Sequence, residues 1–316
     1  MENKFLEEFN SDFLSNEIKI SNNTRVKLEK ETKKIGIIGI VLWFPFAWLT
    51  GYLLFDYNIV TFSLGVFLII GYLAGLAYYI HFSYKDFKLD FKNKIMEPLF
   101  NTIGFSFNSP EKVTQAEIED TKMFLNYNLD AFSSGQKVKG IFNNINIEIS
   151  EILCEEKYKD HKKVIRFRKT FGGIFFKAKF NKNISNHTVV IPNAKKISLP
   201  FKEKSLDYNK LENIRLENIE FESIFEVFSD NGIEARYILT PDMMEKMVSF
   251  QKKFNKNIYL SFKNGYICIA IEHKKGLFEA PIIVDIETII KEYIEITKTL
   301  LSIVEDLKLD NDIYKK

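Results

Sequence analysis

The sequence predicts an α+β protein in which a two-helix transmembrane hairpin precedes a mainly antiparallel β domain, with a long C-terminal helix packed on the sheet. Three observations predict this class. Two apolar runs, residues 35–55 and 59–82, contain no Asp, Glu, Lys or Arg. From about Val138, apolar residues alternate with polar ones, which is the period of a half-buried strand. After Asp285, apolar residues return to helical spacing and continue to about Leu307.

The two apolar runs are each long enough to cross a bilayer, because about 20 apolar residues in a helix span roughly 30 Å of hydrocarbon. Neither run carries an acidic or basic group that could form an ion or proton path, so the runs indicate plain anchorage. Cationic residues flank the pair on both sides: Arg25, Lys27, Lys30, Lys33, Lys34, Lys85, Lys88, Lys92 and Lys94. Because Lys and Arg mark the cytoplasmic side, both termini are predicted to be cytoplasmic and the tip at residues 56–58 to reach the far side.

Four parts of the chain follow from these patterns. Residues 1–34 form an N-terminal amphipathic and basic juxtamembrane segment, and residues 35–82 form the transmembrane hairpin. Residues 83–131 form a helical stalk and connector, and residues 132–316 form a cytosolic α+β domain. The N-terminal segment has an apolar stripe at intervals of four residues, formed by Phe5, Phe9 and Phe13.

Two signals define helices within the connector. The stalk is predicted to end at Pro98, because proline disrupts a helix interior. Thr114 and Glu117 have the spacing of a capping box, in which each side chain satisfies a backbone donor of the other residue. A further short helix is therefore predicted after Thr114.

Alternating runs predict strands through the middle of the α+β domain. Ile145, Ile147 and Ile149 alternate with polar residues, as in a strand with one wet face. Further β-rich runs cover residues 164–168, 174–180, 188–191, 225–228 and 234–239. Gly172-Gly173 is predicted as a turn between the first two of these runs. The polar stretch 195–218 is predicted as an exposed excursion.

The dipeptide Asn264-Gly265 predicts a two-residue hairpin of type I′, because Asn and Gly tolerate the positive φ angles of that turn. The turn sets a register that places three apolar pairs on one face: Phe262 with Ile267, Leu260 with Ile269, and Ile258 with Ile271. Cys268 then lies opposite Ser261 on the other face. A shift of one residue would move all three apolar pairs to the wrong side of the sheet.

Two helices complete the domain. Thr240 is a suitable N-cap and Pro241 a suitable first helical residue, since proline lacks a donor that has no partner there. The last helix is predicted to start after Asp285 as its cap. Its apolar stripe consists of Ile286, Ile289, Ile290, Tyr293, Ile294, Leu301 and Val304. This stripe makes the helix the expected cover of one face of the sheet.

The candidates for a catalytic site are four charged residues that lie close in sequence: Asp230, Glu234, Arg236 and Asp242. Two carboxylates with different pKa values can perform acid–base chemistry. A structural interpretation is simpler: Asn231-Gly232 has the composition of a turn, Glu234 and Arg236 then share a strand face and can pair, and Asp242 suits a helix N-terminus. The sequence therefore favours structural roles, and catalysis is the alternative.

Composition and motifs argue against several other classes. The 44 Lys and Arg residues nearly balance 42 Asp and Glu residues and are interleaved with them, which does not suggest nucleic-acid binding. The sequence has no phosphate loop, dinucleotide fingerprint, GxSxG motif or Cys–His arrangement. The spacing of Cys154 and Cys268 to the histidines matches no metal site. We therefore expect no cofactor, no metal and two reduced core cysteines.

Several stretches resemble one bacterial membrane-protein family. They are the two spans in order, the juxtamembrane FKLDFKNKI, FGGIFFKAKF, the run LENIEFESIFEVFSDNGIEARYILTP, the hairpin KNGYICIAIE followed by GLFEA, and the closing IVEDLKL. The family is catalogued as domain of unknown function 3137, and the resemblance covers roughly residues 25–310. It implies an integral membrane protein of bacteria with a cytosolic domain, and it transfers no catalytic residue.

A binding or scaffold module at the bacterial inner membrane is the favoured hypothesis, because an antiparallel sheet readily exposes a face or an edge. The expected partners are the lipid bilayer and a protein partner or further copies of the chain. Two alternatives stay open: a membrane enzyme that uses the cluster from Asp230 to Asp242, and an accessory subunit of an oligomeric transporter. The expected location is the inner membrane, with two passes and both termini cytoplasmic.

Overall fold

The computed structural model describes residues 12–55, 59–109, 111–124, 128–180, 182, 184–193, 211–273, 278, 280 and 284–306. The chain divides into two compact units, Met1–Leu99 with Glu279–Glu292, and Phe100–Phe278 with Tyr293–Lys316. Three predicted features lie outside the described residues: the aromatic positions Phe5 and Phe9, the tip at residues 56–58, and most of the excursion at residues 195–218.

Two long helices, α1 (Asp12–Phe55) and α2 (Ile59–Phe91), form most of the first unit. The Tyr72 hydroxyl donates to the Gly39 carbonyl at 2.8 Å, and the Thr32 and Tyr84 hydroxyls lie 3.2 Å apart. The helices are antiparallel, because the contacts move forward along α2 as they move back along α1. The two predicted apolar runs therefore lie side by side as helices. Helix α1 also includes residues 12–34 of the predicted N-terminal segment.

One stretch of the described chain, Val66–Asn101, is long and apolar enough to cross a membrane. No residue in the most apolar part of this helix is buried within the protein. This finding rests on length and composition, and the crossing of the membrane by two spans stays a prediction.

A π-helical turn, Lys92–Met96, connects α2 to a short helix α3 (Glu97–Asn101). The Glu97 N–H donates to the Lys92 carbonyl, five residues back. A proline lacks the N–H of a regular helix, and its ring clashes with the carbonyl four residues before it. The wider turn precedes Pro98, so the helical backbone continues past the predicted stop as far as Asn101.

The second unit contains an antiparallel sheet with nine strands within the described residues. The strands are β1 (Phe105–Ser109), β2 (Ala131–Phe142), β3 (Ile145–Lys159), β4 (Ile165–Lys179), β5 (Thr188–Pro192), β6 (Glu212–Asn213), β7 (Phe225–Ser229), β8 (Ile258–Lys263) and β9 (Tyr266–Glu272). Their order is β1-β2-β3-β4-β9-β8-β5-β7-β6, and all neighbours are antiparallel. The predicted antiparallel sheet is confirmed, and it includes β1, a strand within the segment that the sequence predicts as a helical connector.

The hairpin of β8 and β9 has the predicted register, with Phe262 opposite Ile267, Leu260 opposite Ile269 and Ile258 opposite Ile271. Asn264 and Gly265 have φ angles of 50° and 72°, as a type I′ turn requires. Since β4 and β5 pair with the outer edges of this hairpin, the hairpin lies in the middle of the sheet. Nearly all of its residues are also buried.

The predicted turn at Gly172-Gly173 is wrong, because both residues lie inside β4. A Cβ atom on Gly173 would lie 2.0 Å from the carbonyl oxygen of Ile271 and 2.7 Å from the backbone nitrogen of His273. Only glycine permits this approach of β9. Gly173 therefore marks close backbone packing between two strands and not a chain reversal.

A segment at residues 111–124 covers one face of the sheet. It contains α4 (Gln115–Asp120), whose N-cap Thr114 accepts from the Glu117 N–H, one of the two hydrogen bonds of the predicted capping box. The segment and the sheet form one buried apolar cluster: Val113, Ile118, Met123, Phe124, Ile152, Cys154, Phe171, Phe175, Val189, Ile191, Phe228, Tyr259, Cys268 and Ala270. Both cysteines are thus core residues, as predicted.

Within the described residues of the second half of the chain there are four helices: α5 (Ile219–Ile224), α6 (Gly232–Ile238), α7 (Pro241–Phe254) and α8 (Ile286–Asp306). Helix α7 begins as predicted, with the Thr240 side chain accepting from the Met243 N–H. Helix α8 begins after Asp285, whose Oδ2 accepts from the Thr288 N–H at 3.2 Å. All seven residues of its predicted stripe are buried.

Tyr293 of α8 is linked to the edge of the sheet through aromatic rings. The Tyr293 ring lies 5.5 Å from that of Phe278, which in turn lies 5.8 Å from the ring of Phe107 in β1. Edge-to-face contacts of this kind stabilise aromatic clusters beyond their burial. Phe278 therefore connects Tyr293 of α8 with Phe107 of β1.

Candidate functional site

The four charged residues predicted as site candidates lie around the start of α6 and α7. Asp230 follows β7, Glu234 and Arg236 lie on α6, and Asp242 lies in the first turn of α7. The predicted strand at residues 234–239 is wrong, because this segment is α6. The Asn231 side chain accepts from the backbone N–H groups of Ile233 and Glu234, so it is a helix N-cap rather than a turn residue between strands.

Two of the candidates bind the chain just before β5. Asp230 Oδ1 accepts from the His187 N–H at 2.9 Å. Glu234 Oε1 accepts from the Asn186 N–H at 2.8 Å, and its Oε2 accepts from the Asn186 side chain at 3.0 Å and from the Ser185 N–H at 3.3 Å. These carboxylates accept hydrogen bonds from three consecutive backbone N–H groups. They therefore fix the position of the chain just before it enters the sheet at β5.

The other two candidates have different partners. Arg236 donates from Nη1 to the Gly232 carbonyl at 3.0 Å and from Nη2 to the Arg215 carbonyl at 3.3 Å. Asp242 pairs with Lys246 at 3.1 Å, one helical turn later. Residues two apart on a helix point in nearly opposite directions, so Glu234 and Arg236 do not share the face that a strand would give them.

A buried histidine lies next to Asp230 and was not singled out by the sequence. The Nε2 atom of His187 lies 2.9 Å from Ser261 Oγ and 3.1 Å from the Thr121 carbonyl oxygen. Burial, followed by the charges of Lys263 and Lys122, lowers the pKa of His187 from 6.5 to about 4, against opposing effects of the Thr121 carbonyl and Asp120. The ring is therefore neutral at physiological pH.

This His–Ser pair does not have the properties of a catalytic pair. A carbonyl oxygen only accepts, so the contact with Thr121 requires the proton to be on Nε2, and that nitrogen cannot then take a proton from Ser261. Ser261 is also 2% exposed, so a substrate has no access to it. The histidine instead ties Thr121, in the segment at residues 111–124, to the sheet.

A row of alternating charge crosses the sheet face on which Ser261 lies. Lys139, Glu148 and Lys177 are direct cross-strand neighbours on β2, β3 and β4. Lys139 pairs with Glu111, and Lys177 pairs with Glu117 at 2.6 Å. Although burial by itself would lower the pKa of Lys177, the bond to Glu117 and nearby charges raise it.

An open groove of about 360 Å³ lies over this row, lined by Lys139, Gly140, Ile141, Asn146, Ile147, Glu148, Lys177 and Tyr266. Lysine and glutamate alternate around it, so it has no clear preference for one sign of charge. In the sequence, this row is indicated by two lysines that lie two residues apart in β2, Lys137 and Lys139. Within the part of the chain that the structure describes, no group of three or more His, Cys, Asp or Glu residues could hold a metal ion.

A projecting two-stranded ribbon is the most exposed feature of the sheet. Pairing of β3 with β2 ends at Glu155, and pairing of β4 with β9 begins at Gly173. Between these points β3 and β4 pair only with each other among the described strands. We call residues 156–168 the β3–β4 ribbon. Its sequence signal is a run in which Lys and Arg alternate with Tyr, Ile and Phe.

Comparison with known proteins gives a match to one family model over part of the chain. Residues 169–309 match the family model described as Protein of unknown function (DUF3137), the family that the sequence resembles. No curated protein matches the chain. A solved structure with partial similarity is the crystal structure of the mycobacterial trehalose monomycolate transport factor A, TtfA. It is 11% identical, with 55% of this chain and 73% of that chain covered and a TM-score of 0.30, and a likeness at this level supports no inference here.

Proposed function

We propose that this chain, whose residues 169–309 match the DUF3137 family model, is a membrane-anchored binding module of the bacterial inner membrane. In this proposal α1 and α2 both cross the bilayer, and the sheet domain lies in the cytoplasm. The module acts by holding a surface near the membrane and carries out no chemistry of its own.

The observation that carries the anchorage is the exposure of α2. The most apolar window of Val66–Asn101 has no buried residue within the protein, and large side chains such as Phe67 and Tyr78 are 73% and 69% exposed. Exposed apolar area costs about 25 cal/mol per Å² in water. A lipid environment removes this cost for a helix of such length.

Binding is favoured over catalysis by the contacts of the candidate residues. Asp230 and Glu234 accept hydrogen bonds from the chain before β5, Arg236 binds two carbonyl groups, and Asp242 pairs with Lys246. Carboxylates that serve a reaction need access to a substrate and to each other. The β3–β4 ribbon, by contrast, offers an extended exposed surface.

Alkaline carbonate extraction and residue labelling test the anchorage and its orientation. We expect the chain to stay in the membrane pellet at high pH. In intact cells lacking an outer barrier, a membrane-impermeant maleimide should label Asn58→Cys in the predicted tip. The same reagent should label His161→Cys in the ribbon only after the cells are permeabilised.

The native cysteines do not interfere, because both are buried. Release of the chain by carbonate would overturn the anchorage. Labelling of His161→Cys in intact cells would overturn the cytoplasmic location of the sheet domain.

A further inference from the structure

The β3–β4 ribbon combines exposed apolar side chains with a large excess of positive charge. Six cationic residues and two acidic residues lie within residues 156–168, which leaves a formal net charge of +4. Val164, Ile165 and Phe167 are 50%, 58% and 49% exposed. Exposed aliphatic and aromatic groups surrounded by lysines are typical of surfaces that enter the headgroup region of a bilayer.

The register of the ribbon separates its two faces. Lys157 lies opposite Phe167 and Lys159 lies opposite Ile165, so these four side chains share one face. On the other face Tyr158 lies opposite Arg166, and Glu156 lies opposite Arg168. The first face therefore has the apolar pair Phe167 and Ile165 beside Lys157 and Lys159, and the turn at residues 160–164 lies at its end.

Internal ion pairs neutralise only part of the charge. Arg166 pairs with Asp160 at 2.7 Å and Arg168 with Glu156 at 2.9 Å, and these pairs account for both acidic residues of the ribbon. Among the described residues, no carboxylate lies within ion-pair distance of the other four cations, Lys157, Lys159, Lys162 and Lys163. These lysines are on the apolar face or in the turn, where they are available to anionic groups outside the protein.

We propose that the β3–β4 ribbon docks on the surface of an anionic lipid bilayer, with Val164, Ile165 and Phe167 in the headgroup region and the four lysines on lipid phosphates. The inference rests on the proposed function in one respect, since the anchor supplies a bilayer within reach of a tethered domain. The ribbon would then be a second, reversible membrane contact in addition to the permanent one.

The aliphatic residues favour a lipid surface over nucleic acid. Binding of single-stranded nucleic acid uses aromatic rings that stack on bases together with cations on phosphates. Val164 and Ile165 cannot stack in this way. Val164 lies in the turn and Ile165 directly follows it, where first contact with a bilayer would occur. Each lysine near an anionic membrane adds attraction that salt screens within about 10 Å at 0.1 M ionic strength.

The test uses the full chain in lipid nanodiscs of two compositions, pure phosphatidylcholine and a mixture with about 30% phosphatidylglycerol, which matches a moderately anionic membrane. Val164→Cys carries the environment-sensitive fluorophore NBD. We expect its emission to shift to the blue in the anionic discs, and we expect doxyl-labelled lipids to quench it there. The shift should disappear in 1 M salt, where the screening length falls to about 3 Å.

Matched variants separate the ribbon from charge in general. Lys162→Glu with Lys163→Glu should abolish the blue shift, whereas Lys112→Glu with Lys256→Glu, an equal change at two other exposed lysines, should leave it in place. NBD on Ile233→Cys, a position that is 84% exposed on α6, should give the same spectrum in both kinds of disc.

Two outcomes would overturn the docking. A Val164→Cys probe that stays in water in anionic discs overturns the docking, whether or not the ribbon binds nucleic acid or an acidic protein. A shift that the ribbon lysine variants leave unchanged also overturns it.

A chain that is soluble without detergent and does not enter discs overturns the anchorage alone. Docking is then decided by co-sedimentation of the same chain with phosphatidylglycerol vesicles. The ribbon lysine variants should lower the vesicle-bound fraction about tenfold or more if the proposal holds, and equal sedimentation of variant and wild type would refute it.

Discussion

The Asn186 N–H donates to Glu234 Oε1 at 2.8 Å and joins two segments that are 48 residues apart in the chain. The same carboxylate also binds the Asn186 side chain and the Ser185 N–H. A residue with the type and spacing of an acid–base catalyst thus positions the backbone just before β5.

Glu234→Ala should lower the free energy of unfolding by about 1–2 kcal/mol, because partly buried backbone donors lose their acceptor. The measurement is thermal unfolding of the full chain in detergent, followed by circular dichroism. Asp242→Ala is the matched control, since it removes an exposed carboxylate whose helical ion pair contributes about 0.3–0.5 kcal/mol. A larger loss in Asp242→Ala than in Glu234→Ala would contradict the positioning role.

Gly173→Ala should prevent normal folding, because its Cβ would lie 2.0 Å from the Ile271 carbonyl oxygen of the neighbouring strand. Overpacking against a backbone atom costs more than the roughly 1–3 kcal/mol of a typical crowded side chain. The adjacent Gly172→Ala is the control. Its Cβ would meet the flexible end of Lys169, which can move away. Equal expression and unfolding temperatures for both variants would show that β9 does not approach β4 as closely as described.

His187 should make stability depend on pH in a defined range. Burial lowers its pKa from 6.5 to about 4 in the folded protein, so between these values the unfolded chain binds the proton more readily. The contribution is fully present above pH 6.5 and is lost as the pH falls towards 4, by up to about 3 kcal/mol.

The pH effect is measured as the slope of unfolding stability between pH 7 and pH 4. His187→Gln should flatten the slope, whatever its effect on absolute stability. His161→Gln removes an exposed histidine and should leave the wild-type slope unchanged. An unaltered slope in His187→Gln would rule out this histidine as the cause.

Cys154 and Cys268 should resist thiol reagents in the native protein. Burial raises the pKa of each thiol to about 12, and the reactive form of a thiol is its thiolate. Titration with a coloured disulfide reagent near pH 8 should detect no fast-reacting thiol until denaturant is added, and two thiols afterwards. Rapid native reaction of either cysteine would mean that the apolar cluster around it opens easily.

Local signals account for the features that the sequence predicts correctly. The Asn264-Gly265 turn sets the β8–β9 register through two backbone angles, and Asp285 and Thr240 cap helices through hydrogen bonds to residues three positions later. The seven-residue stripe of α8 follows from helical periodicity. In each case the determining contacts lie within a few residues, so the sequence alone contains them.

Only the tertiary structure decided the features that depend on distant neighbours. Gly173 has its role because β9 passes next to it, and His187 is neutral because of the burial around Ser261 and Thr121. Asn231 could equally have begun a turn or a helix by composition, and its hydrogen bonds to Ile233 and Glu234 select the helix. The β3–β4 ribbon is exposed because β2 and β9 end their pairing before its tip. Such strand ends are set by packing across the sheet rather than by the residues of the ribbon itself.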